Sequence, residues 1–85
     1  MPKVIMYTTA ICPYCIRAKR LLDHKGVDFE EIRIDGDMDQ MRIMMERSRR
    51  QTVPQIFIDD HHVGGFDDLA KLESYGKLDE MLALN

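Results

Sequence analysis

Apolar and polar positions fall into short blocks whose repeat changes along the 85-residue chain. Lys3–Tyr7 (KVIMY) is a brief apolar run rich in β-formers and reads as a buried strand. Thr8–Ile11 is a loop leading to two cysteines. Pro13 sits where a helix would begin, since its fixed φ and missing N–H suit the first helical position. Cys15, Ala18 and Leu22 then recur at helical spacing with Leu21 beside them, and Arg17, Lys19 and Arg20 supply the wet face. Gly26 ends that helix. Phe29–Ile34 (FEEIRI) alternates loosely and reads as a second strand. Strand, helix and strand within about thirty residues make a βαβ unit, with parallel strands and a right-handed crossover expected.

Asp35-Gly36-Asp37 is a turn, and Met38, Met41 and Met45 follow at i, i+3 and i+7, so a second helix should run to about Arg49. Gln55–Ile58 (QIFI) is a third strand. His61–Gly64 is a fourth, and the short Asp59-Asp60 link between them implies an antiparallel hairpin. Gly64-Gly65 breaks the pattern. Asp67 and Asp68 are good helix-start residues, and Leu69, Leu72 and Leu78 to Leu84 supply a last helical segment interrupted by Gly76. The order β-α-β-α-β-β-α predicts an α/β fold, a four-stranded mixed sheet with helices packed on it, as a single domain over residues 1–85.

Composition narrows the classes. Hydrophobic residues make up 45% of the chain, enough for a core without staples. Staples are not on offer, because Cys12 and Cys15 are too close in sequence to tie distant elements. A net charge of −3 argues against a nucleic-acid binder, which usually shows a basic excess. No segment approaches the ~20 apolar residues of a membrane span. Only Val4 to Tyr7 are apolar after Met-Pro-Lys, short of a secretory core. The expected compartment is the reducing cytoplasm, where a C-x-x-C pair is redox-active or metal-binding rather than structural.

The chemistry centres on Cys12-Pro13-Tyr14-Cys15. Two intervening residues let both sulfurs meet across one helical turn. At the start of that turn, the sulfur of Cys12 faces unpaired backbone N–H groups and the positive end of the helix dipole, both of which favour a thiolate. Cys15 lies inside the helix and should be more buried. Cys12 is therefore expected to attack and Cys15 to resolve. A free thiol with pKa ~8.5 is only roughly 3% ionised at pH 7. Helix-terminus effects alone supply ~0.3–1 kcal/mol, up to ~2 when partly buried, whereas a shift of ~3 units to near-full ionisation asks for about 4 kcal/mol. Direct hydrogen bonds or a nearby cation must add to them, and Lys19 and Arg17 are the nearest cations in sequence. Zinc is the rival use of such a pair, but it wants four ligands. Only His24, His61, His62 and carboxylates remain, and His61 and His62 are strand neighbours that point to opposite faces. Redox chemistry is the expectation, with no metal.

Three motifs together resemble a known family. Cys12-Pro13-Tyr14-Cys15 after YTTAI, then Thr52-Val53-Pro54, then Gly64-Gly65-Phe66-Asp67-Asp68 looks like a dithiol glutaredoxin of the short bacterial glutaredoxin-3 type, in order over essentially the whole chain. The resemblance implies a thioredoxin fold with a cis peptide before Pro54. It implies glutathione as co-substrate with no tightly bound cofactor. It also implies disulfide-containing or glutathionylated proteins as partners, and a monomer. By the same resemblance, the Val53 backbone before Pro54 pairs with the cysteinyl part of glutathione, while Tyr14 and Thr52 flank it. Gly65, Phe66 and Asp67 would hold the γ-glutamyl end through backbone N–H groups and a carboxylate. The residues themselves agree in part: a carboxylate is at home at a helix start, where Asp67 would cap the helix, pair with the ligand ammonium, or do both.

Two departures stand out. Family members usually carry a lysine about three residues before the first cysteine, where this chain has Thr8-Thr9-Ala10-Ile11. Arg47, Arg49 and Arg50 are candidate replacements, although cations at a helix end also suit the dipole. Phe66 stands where some relatives carry a further cysteine. Met38, Met41, Met44 and Met45 read as core filler, His61 and His62 as members of a half-exposed strand, and Tyr7 as packing. Two rival functions remain at this point. One is a thioredoxin-like reductant recharged by a flavoprotein reductase. The other is a glutathione-ligated iron–sulfur carrier, which Pro13 disfavours because cluster binders of the family usually lack a proline after the first cysteine.

Overall fold

A computed structural model describes residues 2–84. The chain runs β1 (Val4–Thr8), α1 (Pro13–His24), β2 (Glu30–Arg33), α2 (Met38–Ser48), β3 (Gln55–Ile58), β4 (His61–Gly64), α3 (Phe66–Ser74) and α4 (Lys77–Met81). The four strands form one mixed sheet in the order β2-β1-β3-β4. β1 pairs parallel with β2, as the βαβ reading requires, and antiparallel with β3. β3 and β4 form the expected antiparallel hairpin. Gly76, with φ +73°, separates the last helical segment into α3 and α4.

Strand alternation distributes the apolar side chains to two faces. Val4 and Met6 of β1 join Ile56 and Ile58 of β3 in one cluster, closed by Ala18 and Leu22 of α1, Leu69 of α3 and Leu78 of α4. On the opposite face Tyr7 and Phe57 meet Ile34 and Met44. Helices α1, α3 and α4 thus cover one side of the sheet and α2 the other, with the central strands β1 and β3 buried on both. Tyr7 packs as expected: its ring meets Phe57 edge-on at 5.9 Å, and its hydroxyl accepts from Arg47 at 2.9 Å.

The methionines of α2 correct the sequence reading. Met44 is fully buried and Met45 packs against the same cluster, but Met38 is 87% exposed and Met41 is also exposed. The inward side of α2 centres on Met44 and Ser48, spaced by four, and not on the stripe of Met38, Met41 and Met45. Ser48 tolerates burial because its hydroxyl is paired with the backbone of Arg50. Exposed Met38 and Met41, with half-buried Met45, line a shallow groove with Arg42 and Glu46.

Candidate active site

Local sequence fixes the cysteines at the mouth of α1. Pro13 is the first helical residue and Cys12 is the N-cap, with extended backbone (φ −151°, ψ 97°). Its sulfur accepts from the backbone N–H of Cys15 at 3.1 Å, the place a capping oxygen would take. The two cysteines are joined as a disulfide, with Cα atoms 5.2 Å apart. Cys15 is sealed at 1% exposure against 7% for Cys12, so the expected asymmetry is present, although both are buried in the disulfide form. The loop before Cys12 is tied down from the turn after β2: the Asp35 carboxylate accepts from Ala10 N at 3.2 Å and pairs with Arg33. Arg33 holds that carboxyl well below the usual carboxylate range.

The Val53–Pro54 peptide is cis. The Val53 carbonyl oxygen lies 3.8 Å from Cys12 Sγ, a contact only, since a disulfide sulfur carries no hydrogen. From there a groove of about 340 Å³ opens, lined by Tyr14, Arg50, Thr52, Val53, Pro54, Gly65, Phe66, Asp67 and Asp68. All seven residues read from the sequence as glutathione contacts are therefore brought to one groove. Tyr14 is 54% exposed on its rim, with its ring 6.3 Å from that of Phe66 and the Arg17 guanidinium 5.4 Å above it.

Helix α3 begins at Phe66 with Gly65 as N-cap, so its first turn faces the groove. Gly65 has no side chain to cap with. Asp68, three residues on, does so in reverse, accepting from Gly65 N at 2.9 Å and from Arg50 Nη1 at 2.9 Å through the same oxygen. Arg50 first, and then the Gly65 N–H, lower the Asp68 pKa below its ordinary value. Gly64 must be glycine for two reasons: its φ is +116°, and a Cβ there would overlap the Asp68 carboxylate. The capping that Asp67 was to share thus falls to Asp68, and Asp67 is exposed at the groove.

The cations sort clearly. Arg50 lines the groove. Arg47 lies 4.1 Å over the Phe57 ring and bonds Tyr7, while Arg49 caps α2 in the left-handed region at φ 60°. Lys19 is drawn to Glu31 of β2 at 2.5 Å, so it is not the thiolate's partner. His61 is exposed and His62 half-buried. Among the described residues no group of three or more His, Cys, Asp or Glu side chains is gathered as a metal site. Of the three candidate arginines Arg50 is the one at the groove, although no local pattern announces its pairing with Asp68. Gln55 and His62, a bonded pair behind the groove, were not read as site residues, and the signal on offer was Gln55 as the one amide in an otherwise apolar strand.

A cysteine pair at the N-terminus of the helix that follows the first strand, facing a cis-proline loop on a four-stranded mixed sheet, defines a thiol–disulfide oxidoreductase of thioredoxin fold. Comparison with known proteins gives the family. The glutaredoxin family model matches residues 4–63. The chain is 54% identical over 82 residues to glutaredoxin 3 of Escherichia coli strain K12, covering 96% of this chain and 99% of that one. It superposes on the solution structure of a glutaredoxin from Brucella melitensis with a TM-score of 0.85, at 54% identity over 96% of this chain and 89% of that one. A buckwheat glutaredoxin–glutathione complex superposes with a TM-score of 0.88 at 29% identity, over 96% of this chain and 77% of that one. The chain belongs to the glutaredoxin family.

Proposed function

We propose that this glutaredoxin domain, residues 1–85, works in the cytoplasm on protein disulfides and protein–glutathione mixed disulfides, with Cys12 as nucleophile and Cys15 as resolving thiol. The observation that carries the assignment is the N–H of Cys15 aimed at Cys12 Sγ at the mouth of α1, with Cys15 itself enclosed. In the reduced protein that N–H and the helix terminus favour negative charge on Cys12. The Cys12 thiolate attacks the glutathione sulfur of a mixed disulfide. The protein thiolate leaves and takes a proton, and glutathione stays bonded to Cys12. A second glutathione thiolate attacks that sulfur, giving oxidised glutathione and the free Cys12 thiolate. Toward a protein disulfide, Cys12 first forms a mixed disulfide with the substrate. Cys15 then displaces the second substrate thiol and closes the Cys12–Cys15 bond, which two glutathiones reopen.

The groove supports glutathione as the ligand. Val53 offers backbone groups to its cysteinyl part, with Thr52 and Pro54 beside them and Tyr14 and Phe66 as aromatic walls. The first turn of α3 presents the N–H groups of Phe66 and Asp67 to the γ-glutamyl carboxylate, beside Gly65, whose own N–H is taken by Asp68. Because Asp68 does the capping, the Asp67 carboxylate is left to the ammonium. Arg50 stands as the cation for the glycyl carboxylate that the loop before Cys12 does not supply; its planar fork has donors beyond the one given to Asp68.

The test is a glutathione and glutathione reductase coupled assay on a glutathionylated peptide and on a protein disulfide. Cys12→Ser should abolish turnover of both. Cys15→Ser should keep the first and lose the second. Equal loss in the two variants toward the glutathionylated peptide would reverse the role assignment, and turnover supported only by a thioredoxin reductase would reject glutathione as the reductant.

A further inference from the structure

Gln55 follows Pro54 directly and is fully buried at the start of β3. Its Nε2 donates to the Thr52 carbonyl at 3.0 Å and to Thr52 Oγ1 at 3.2 Å. Its Oε1 lies 2.7 Å from Nε2 of His62 on β4. A carbonyl oxygen only accepts, so the Thr52 carbonyl fixes the amide end that faces it. The other end, Oε1, then needs a donor, which places the proton of His62 on Nε2. The His62 ring is braced in turn against Phe57, with centroids 4.9 Å apart. A directed chain runs from half-buried His62 through fully buried Gln55 to exposed Thr52.

The end of that chain matters because little else holds the segment. Thr52 is exposed and Val53 only half-buried. Among the described residues, no backbone–backbone hydrogen bond outside the strands and helices engages Thr52 or Val53. Leaving a buried amide unpaired is costly, so a buried Gln55 dictates where the Thr52 carbonyl sits.

We propose that Gln55 and His62 are positioning residues that set the orientation of the Thr52–Val53 backbone and so the affinity for glutathionyl disulfides, without touching the sulfur chemistry. This rests on the reading that Val53 pairs with the cysteinyl part of glutathione. The chain accounts for an amide at the head of the otherwise apolar strand QIFI, and for a histidine turned inward where its neighbour His61 faces solvent.

The experiment is single-turnover reduction of one peptide carried as two mixed disulfides, one with glutathione and one with 2-mercaptoethanol. His62→Phe keeps a ring on Phe57 but has no donor; His62→Gln restores an N–H at similar reach; Gln55→Met removes the whole link. For the glutathionyl peptide, the half-saturating concentration should rise about fivefold in His62→Phe and about tenfold in Gln55→Met, and stay near wild type in His62→Gln. Limiting rates, Cys12 alkylation by iodoacetamide, and the 2-mercaptoethanol peptide should change by less than about twofold. Equal losses on both mixed disulfides, failure of His62→Gln to rescue, or unchanged half-saturation in His62→Phe would overturn the inference. His62 is only half-buried, so that variant decides the matter even if Gln55→Met does not fold. A wild-type protein that treats the two mixed disulfides alike would instead overturn the glutathione reading, and this inference would fall with it.

Discussion

Cys12 and Asp68 solve the same local problem, an unpaired N–H at the mouth of a helix, and both do so with a group that binds best when ionised. The sulfur of Cys12 takes the Cys15 N–H, and the carboxylate of Asp68 takes that of Gly65. For Asp68 the consequence is a pH-dependent stability. Arg50 and the Gly65 N–H keep it ionised in the fold to lower pH than in the unfolded chain. Its stabilisation is therefore complete above the ordinary carboxylate pKa near 3.8 and is lost as pH falls below that value, through the folded pKa. Asp68→Ala should cost about 1 kcal/mol at pH 7, the usual worth of a cap, and that gap should shrink progressively in urea titrations as pH is lowered below 3.8. A gap that stays constant would mean that the charge of Asp68 contributes nothing. The sequence offered both Asp67 and Asp68 as helix starters. Only the position of Gly65 as N-cap, which no apolar period reveals, divides their work.

At the scale of elements, the strands and α1 were legible because their apolar positions are numerous and their breakers, Pro13, Gly26 and Asp59-Asp60, are unambiguous. Boundaries moved by a residue or so; β1 extends to a fully buried Thr8, whose hydroxyl donates to Glu31 on β2 at 2.6 Å. Helix α2 was legible as a helix but not in its rotation. Four methionines offered two possible inward lines, and the true one passes through Ser48, a residue that hydropathy assigns to solvent. Met44→Ala should therefore destabilise by about 2–5 kcal/mol, as a fully buried side chain does. Met38→Ala should stay within about 0.5 kcal/mol of wild type, since its side chain touches mostly water. Denaturant midpoints of the two variants check this directly, and comparable losses would put Met38 back in the core.

At the scale of the molecule, the fold brings three short stretches far apart in sequence to one rim: Cys12 to Cys15 on α1, Thr52 to Pro54 before β3, and Gly65 to Asp67 at α3. Periodicity gave the sheet and its helices but not this convergence; the three motifs gave it through family resemblance. Neither route exposed the His62–Gln55 support, because it consists of single polar residues whose meaning depends on the β3–β4 register that pairs Phe57 with His62. The same rim gathers exposed apolar side chains beside the cysteines, with Ile11 at 92% and Tyr14 at 54% exposure, an apolar border around the sulfur. The proposed reaction requires an ionised Cys12 in the reduced protein. The direct measurement is the rate of iodoacetamide alkylation of fully reduced protein against pH, with Cys12→Ser as the control that assigns the signal. The rate should titrate with a midpoint below the ~8.5 of a free thiol. A titration midpoint at or above 8.5 would contradict an activated Cys12.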